Sequence, residues 1–431
     1  MGKAILINGK SFLRLFWILI IFSFITWFAS IAINPQGRQL DLFYKQMNNF
    51  WADATNTTGY VSELNPYHNE TNGLRNHNYP PFSYLLFYAL SHASIDSRIY
   101  QYGNVTTIFD GYLTYFYQPI WTLLFVIALT VFLILLYILC SKHIALSSSF
   151  EKELISLSLI LSAPMLYTIE RGNILIVSIL ATSFFVFYYD SNCDWKKEIA
   201  LISLSLAVGI KLSPAIFVIL LVLKNDWKSL FRIACYMFVF LFVPFFFFKD
   251  GIQNVFQLIN NIRLWFSFDK NFVIVNGTGL VSSYYYFGNF FWGESHRITV
   301  GVYSVLMTIR SIIAFFLFLG TFHIEEKWKV VLNITIMLLI LPSVSYAYNF
   351  LYMIPFTVLF LNSLINEKIT VDKIIVFCCI IMIYFVYRCP LTDFFNYLFA
   401  LPVLIIIGMK YSFQAFIKAK HIWPVDFFEK K

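Results

Sequence analysis

Asp41 opens the polar segment Asn34 to Pro81, just past a first apolar run, where a membrane enzyme needs a carboxylate. Plotted at 100° per residue, Leu40, Phe43, Tyr44, Met47, Phe50 and Trp51 fall on one arc. Asp41, Lys45, Asn48 and Asn49 fall on the other. This is the pattern of an amphipathic helix lying in the membrane interface. A carboxylate held there can take a proton from an acceptor hydroxyl. An acid at a helix start is also simply stabilised by the helix dipole, and the spacing does not separate the two.

The candidate partners of that carboxylate are cations at the edges of apolar runs. Glu170-Arg171-Gly172-Asn173 separates two such runs, and charges beside hydrocarbon are usually paired or functional. Arg171 has the forked donors that suit a phosphate, or it pairs with Glu170 across a Gly172 turn. Lys211, in Gly209-Ile210-Lys211-Leu212-Ser213-Pro214, needs an anion or carbonyl partner at that depth, or it snorkels to the interface. Arg263 lies with many aromatics in the stretch Lys249 to Arg297, a mix that suits a sugar-phosphate site or an interfacial aromatic belt. Tyr79-Pro80-Pro81-Phe82 closes the polar segment, its prolines suited to starting a helix. Ser343, Ser345, Tyr346, Tyr348 and Asn349 form a later polar patch whose hydroxyls could line a cleft.

The elements that must position these residues are membrane helices. Hydrophobic residues make up 59% of the chain and charged residues 13%, about half the charge of a soluble domain. Apolar runs long enough to cross a bilayer recur from end to end. The expected architecture is an all-α polytopic membrane protein of about 12 transmembrane helices, with interfacial helices in the first outer loop. It forms a single integral membrane domain over 1–431. A first span at 12–33 is followed by an outer loop at 35–117 and spans within 118–248. A second outer loop covers 249–298, further spans lie within 299–409, and a basic tail covers 410–431. Individual spans are expected near 118–140, 152–169, 173–189, 198–211, 213–224, 229–248, 299–321, 328–342, 346–365, 371–387 and 393–409.

The net charge of +8 does not mark a nucleic-acid partner. The basic residues gather in short connections on one side, as the positive-inside rule requires, which puts the N-terminus and the tail in the cytoplasm and the 35–117 loop outside. The six cysteines avoid the first outer loop and lack metal-ligand spacing, and neither a metal nor a cofactor is expected. Phosphate-binding loops of nucleotide enzymes, dinucleotide fingerprints and nucleophile-elbow motifs do not occur.

Taken in order, these residues resemble the GT-C superfamily of membrane glycosyltransferases, and within it glycosyltransferase family 87. The likeness lies in Asp41 with the aromatics Phe43 and Tyr44, in Tyr79-Pro80-Pro81, in Arg171-Gly172-Asn173, and in Ala207, Lys211 and Pro214 followed by a basic turn. One departure is a tyrosine, Tyr346, where the family often carries a histidine. The resemblance implies transfer of a hexose from a polyprenyl-phosphate-linked donor to a lipid-linked or surface glycan. Transfer would occur on the outer face of a bacterial cytoplasmic membrane, by inverting displacement without a metal. It implies Asp41 as catalytic base, Arg171, Lys211, Arg263 and Asn173 on the donor phosphate, and Tyr44, Tyr79, Glu170, Tyr346 and Tyr348 along the substrate cleft, with membrane lipids around the spans. An O-antigen-type polymerase or ligase shares the many spans and the lipid-linked substrate, but more often places its large loop late in the chain. A transporter predicts paired broken helices and polar residues at mid-membrane depth. Here most ionisable residues sit at span ends, with Arg310 as the main exception.

Overall fold

The computed structural model describes residues 9–33, 51, 53–54, 57–58, 61, 66–67, 78–92, 119–146, 148–267, 279–292, 299–342, 345–386 and 395–422. Among these the chain is helical and has no strand. In chain order the helices are α1 (Gly9–Ile33), α2 (Pro81–His92), α3 (Pro119–His143), α4 (Ser149–Ile160), α5 (Ala163–Arg171), α6 (Leu175–Tyr188), α7 (Asp194–Ile210), α8 (Ile219–Leu223) and α9 (Trp227–Phe242). They continue as α10 (Asn254–Ser267), α11 (Leu280–Trp292), α12 (Val300–Thr321), α13 (Lys327–Ile340), α14 (Met353–Asn366), α15 (Val371–Tyr384) and α16 (Phe395–Ile422). Short 3₁₀ turns precede α8 (Ser213–Val218), follow α9 (Val243–Phe247) and precede α14 (Ala347–Tyr352).

The polytopic character is borne out, and the span count differs from expectation. Among the described residues six helices are long and apolar enough to cross a membrane, or seven if the pair α4 and α5, bent by 49°, is one span. The expected count of about 12 took each apolar run as one crossing. The stretches expected as two spans, 198–211 and 213–224, are α7 and a 3₁₀ turn followed by the five-residue α8, and neither is among the six. α6 and α13, at 14 residues each, are about 21 Å long, short of a hydrocarbon core about 30 Å thick.

The chain divides into two compact units. One holds residues 1–23, 144–158 and 271–431; the other holds 24–143 and 159–270. The first unit is built on α12 to α16 together with α1. Phe12 and Phe16 of α1 meet Phe377 and Tyr384 of α15 edge to face. The Ser23 hydroxyl accepts the Val386 N–H at 3.0 Å, and Asn333 Nδ2 of α13 donates to Ser412 Oγ of α16 at 3.0 Å.

The second unit places the site. Its helices α6, α7 and α9 pack in sequence, with α2 and α3 against them. An aromatic cluster roofs one end: Trp51, Tyr67, Tyr84, Phe87, Trp121, Phe245 and Phe248 are all buried. Trp121 stacks on Phe125 with centroids 5.2 Å apart, and Trp51 meets Phe125 edge-on at 4.8 Å. Burying side chains of this size gives about 1.5 to 3 kcal/mol each, which ties Trp51 and Tyr67 of the first loop down onto the helices. α10 lies beside the same cluster. Val255 and Leu258 pack against it, and Asn261 Nδ2 donates to the Tyr67 carbonyl at 3.1 Å. Its other face leaves Phe256 and Ile259 exposed, the amphipathic habit expected of an interfacial segment.

Candidate active site

Arg171 is the last residue of α5, and the way that helix stops fixes its position. Gly172 follows in the left-handed region, at φ 62° and ψ 32°. Its N–H donates to the Ile169 carbonyl and the Asn173 N–H to the Thr168 carbonyl, both at 3.0 Å. This glycine-capped ending satisfies carbonyls that the helix leaves open. Gly172 meets a second constraint. A Cβ there would lie 3.1 Å from Ala54 Cβ and from both Trp51 Cα and Cβ. The first loop can press this close only because the residue has no side chain, and the Trp51 N–H then donates to the Glu170 carbonyl at 2.7 Å.

That docking delivers a carboxylate. Asp53 forms an ion pair with Arg171, with side chains 18% and 15% exposed, and its second oxygen accepts from Asn173 Nδ2 at 2.7 Å. Asn173 Oδ1 in turn accepts the Leu175 N–H at 2.9 Å. The Asn173 amide therefore has its two ends fixed in opposite directions, one holding Asp53 and one starting α6.

Lys211 joins the group from α7. Its N–H still donates to Ala207 at 2.9 Å, but its backbone is already extended, at φ −150° and ψ 130°. Pro214 then opens a 3₁₀ turn. Two serines hold this break: Ser178 Oγ donates to the Ala207 carbonyl at 3.2 Å and Ser83 Oγ to the Ile210 carbonyl at 2.8 Å. Ser83 lies two residues beyond Pro81, so the Tyr-Pro-Pro element is joined directly to the lysine-bearing break. Lys211 lies outside the candidate spans. Burial pulls its ammonium down to about 8, and the Asp53 charge opposes that fall. The group is thus a carboxylate against a guanidinium, an amide and an ammonium, built from three separate stretches of chain. Fixed cations of this kind can hold a phosphate and offset charge developing on it.

The expected site residues fall into four sets. Arg171, Asn173 and Lys211 come together around Asp53, with Glu170 supplying its backbone carbonyl to Trp51. Tyr79 lies at the edge of the aromatic cluster, its carbonyl accepting from Tyr67 Oη at 3.0 Å. Arg263 is exposed on α10 and makes no bond to Asp53 among the described residues. Tyr346 and Tyr348 belong to the other unit. Their rings are 5.3 Å apart, and the Ser345 hydroxyl nearby accepts from Asn349 Nδ2 at 3.3 Å. Asp41 and Tyr44 lie outside the described residues.

Asp53 is the residue that sequence reasoning missed. The segment Asn34 to Pro81 holds four acids, Asp41, Asp53, Glu63 and Glu70, and spacing does not say which one faces a cation 118 residues later.

The meeting of Tyr-Pro-Pro, Arg-Gly-Asn and the lysine break in one unit agrees with a match over residues 77–342 to the model of glycosyltransferase family 87. The chain belongs to glycosyltransferase family 87. It is therefore a membrane glycosyltransferase, which takes a sugar donor and a glycan acceptor. No curated protein matches the chain. In this family 87 chain, the match begins just before Tyr79 and ends at Pro342, so Arg171, Asn173 and Lys211 lie inside it and Asp53 lies before it.

Proposed function

We propose that this glycosyltransferase moves a hexose from a polyprenyl-phosphate donor to a lipid-linked or surface glycan, on the outer face of a bacterial cytoplasmic membrane. The observation that carries the reading is the pair of cations, Arg171 and Lys211, held at helix breaks around one carboxylate. In a membrane protein such cations need an anion, and a donor whose leaving group is a phosphate supplies one. The lipid chain lies along the spans.

The reaction is a single displacement. The acceptor hydroxyl oxygen attacks the anomeric carbon as the bond from that carbon to the phosphate oxygen breaks, inverting the centre. The polyprenyl phosphate leaves with the bonding pair. Arg171 and Lys211, with Asn173 beside them, stabilise the charge that collects on it. The acceptor proton goes to a carboxylate. Asp53 is poorly suited to receive it, because both of its oxygens already accept from Arg171 and Asn173. We assign Asp53 to positioning the cations and Asp41 to the base. Tyr44, Tyr79 and Glu170 are proposed to line the sugar path. Arg263 is proposed to meet the donor only at the entrance, from its exposed position on α10.

The test is transfer by purified protein in detergent. Radiolabelled polyprenyl-phosphate hexoses serve as donors with a crude lipid-linked glycan acceptor. Labelled product that requires the phosphate-linked donor is the expected result. Transfer from a nucleotide sugar alone would overturn the donor assignment.

A further inference from the structure

Arg310 sits in the middle of α12, ten residues and so about 15 Å into the helix. It is on the inward side. Leu306, Ala314 and Leu317 at helical spacing around it are buried, while Val305, Ile309, Ile312 and Phe315 are exposed in a stripe suited to lipid. Its Nη1 donates to the Pro342 carbonyl at 3.0 Å, and its Nε is buried without a hydrogen-bond partner. Tyr303, two turns earlier, is close enough to act on its charge.

A guanidinium at this depth needs a counter-charge, because an intramembrane cation is expensive unless it is paired. One carbonyl answers one of its five N–H donors and cancels no charge. The helices that pack on α12 are α11, α13 and α16, and none of the three contains an Asp or Glu. The same is true of the sequence of α12 itself and of 342–352, whose Pro342 carbonyl receives the Arg310 bond. Among the described residues no carboxylate pairs with Arg310. What these elements do supply is neutral: Tyr303, and after Pro342 the buried Ser345 and Asn349.

We propose that Arg310, with Ser345 and Asn349 after Pro342, forms a seat for a phosphate group carried on a lipid. The phosphate would accept from Nε and from the free guanidinium edge, with neutral donors beside it. Two lipids carry that chemistry, the polyprenyl phosphate of the proposed reaction and an ordinary anionic phospholipid. In the first case the seat belongs to the lipid substrate or its released carrier, and this part of the inference rests on the function proposed above.

The experiment is binding to the full chain in detergent, read by native mass spectrometry and by thermal shift. The probes are a short-chain polyprenyl monophosphate, the matching uncharged polyprenol, and phosphatidylglycerol. Wild type should retain the monophosphate and melt higher with it, and should not respond to the polyprenol. Arg310→Met should weaken monophosphate binding at least tenfold, and Arg310→Lys should recover part of it. The lysine variant keeps the question answerable if the methionine variant does not fold. Preference for the monophosphate over phosphatidylglycerol assigns the seat to the substrate lipid; equal binding assigns it to the bilayer lipid. Equal binding by wild type and both variants, or equal response to the polyprenol, overturns the proposal. If sugar transfer fails while Arg310-dependent binding persists, only the function falls. If transfer succeeds while Arg310→Met leaves both binding and donor KM unchanged, only this seat falls.

Discussion

Asp53 reaches Arg171 across 118 residues of chain, and it does so because Gly172 lets the first loop lie against the end of α5. The ion pair and the glycine contact are two results of one docking event. Arg171 has its carboxylate only when Trp51 and Ala54 are seated.

The two acids of the first loop should separate by kinetics. Asp41→Asn is expected to lower kcat by about 10²- to 10⁴-fold, the usual range for a lost general base. Asp53→Asn should leave kcat within about tenfold and raise donor KM, because Arg171 and Asn173 lose the group that aims them. It should also cost about 3 kcal/mol of stability, the order seen when one partner of a mostly buried pair is removed. Steady-state kinetics and thermal melting of the two variants side by side test this. A kcat collapse in Asp53→Asn with Asp41→Asn active would exchange their roles.

Gly172→Ala should be destabilising out of proportion to its size. The left-handed backbone costs a non-glycine residue about 1 to 2 kcal/mol, and the new Cβ would press on Trp51 and Ala54 at 3.1 Å. The second effect pushes the loop off and weakens the Asp53–Arg171 pair, so donor KM should rise as well. An alanine variant with unchanged melting and unchanged KM would count against the docking account.

Lys211 sets a pH limb. Its ammonium sits at about 8, against an ordinary 10.5, because burial disfavours the charge. If the charged form holds the donor phosphate, kcat/KM should fall as pH rises through about 8. The kcat limb should lie higher, since bound phosphate favours the ammonium. Lys211→Arg should remove the kcat/KM limb from the accessible range. Stability runs the other way. Between about 8 and 10.5 the unfolded chain binds the proton that the folded chain has lost, so this group makes folding more favourable as pH rises through that window. A kcat/KM profile flat from pH 7 to 10 would rule out Lys211 as a phosphate ligand.

Ser83→Ala tests the joint between Tyr-Pro-Pro and the lysine break. It removes a buried 2.8 Å bond to the Ile210 carbonyl and should cost about 1 kcal/mol. The kcat/KM limb of Lys211 should shift as the break loosens. Loss of stability with an unmoved limb would show that the bond supports the fold but not the lysine.

Much of the fold was legible because bilayer chemistry writes it into composition. The runs expected at 118–140, 229–248 and 299–321 return as α3, as α9 with its 3₁₀ extension, and as α12, within a few residues at most ends. A span must be apolar along about 20 residues, and that is a local property. The breaks within apolar runs were less legible. Lys211-Leu212-Ser213-Pro214 was read near a boundary between two spans, yet α7 and α8 are not two crossings of equal kind, and α13 is too short to match its expected role.

The site divides along the same line. Arg171, Asn173 and Lys211 could be named from sequence because a polar residue between apolar runs stands out against its neighbours. Asp53 could not be named, since it is one of several acids in a polar loop and its distinction is a contact made by Gly172 and Trp51. The sequence by itself determined a helical membrane glycosyltransferase and the cations we propose for its donor. Only the tertiary structure decided which carboxylate holds them, because an ion pair is fixed by distance in space, and a loop's path over a helix end is set by packing that no spacing along the chain encodes.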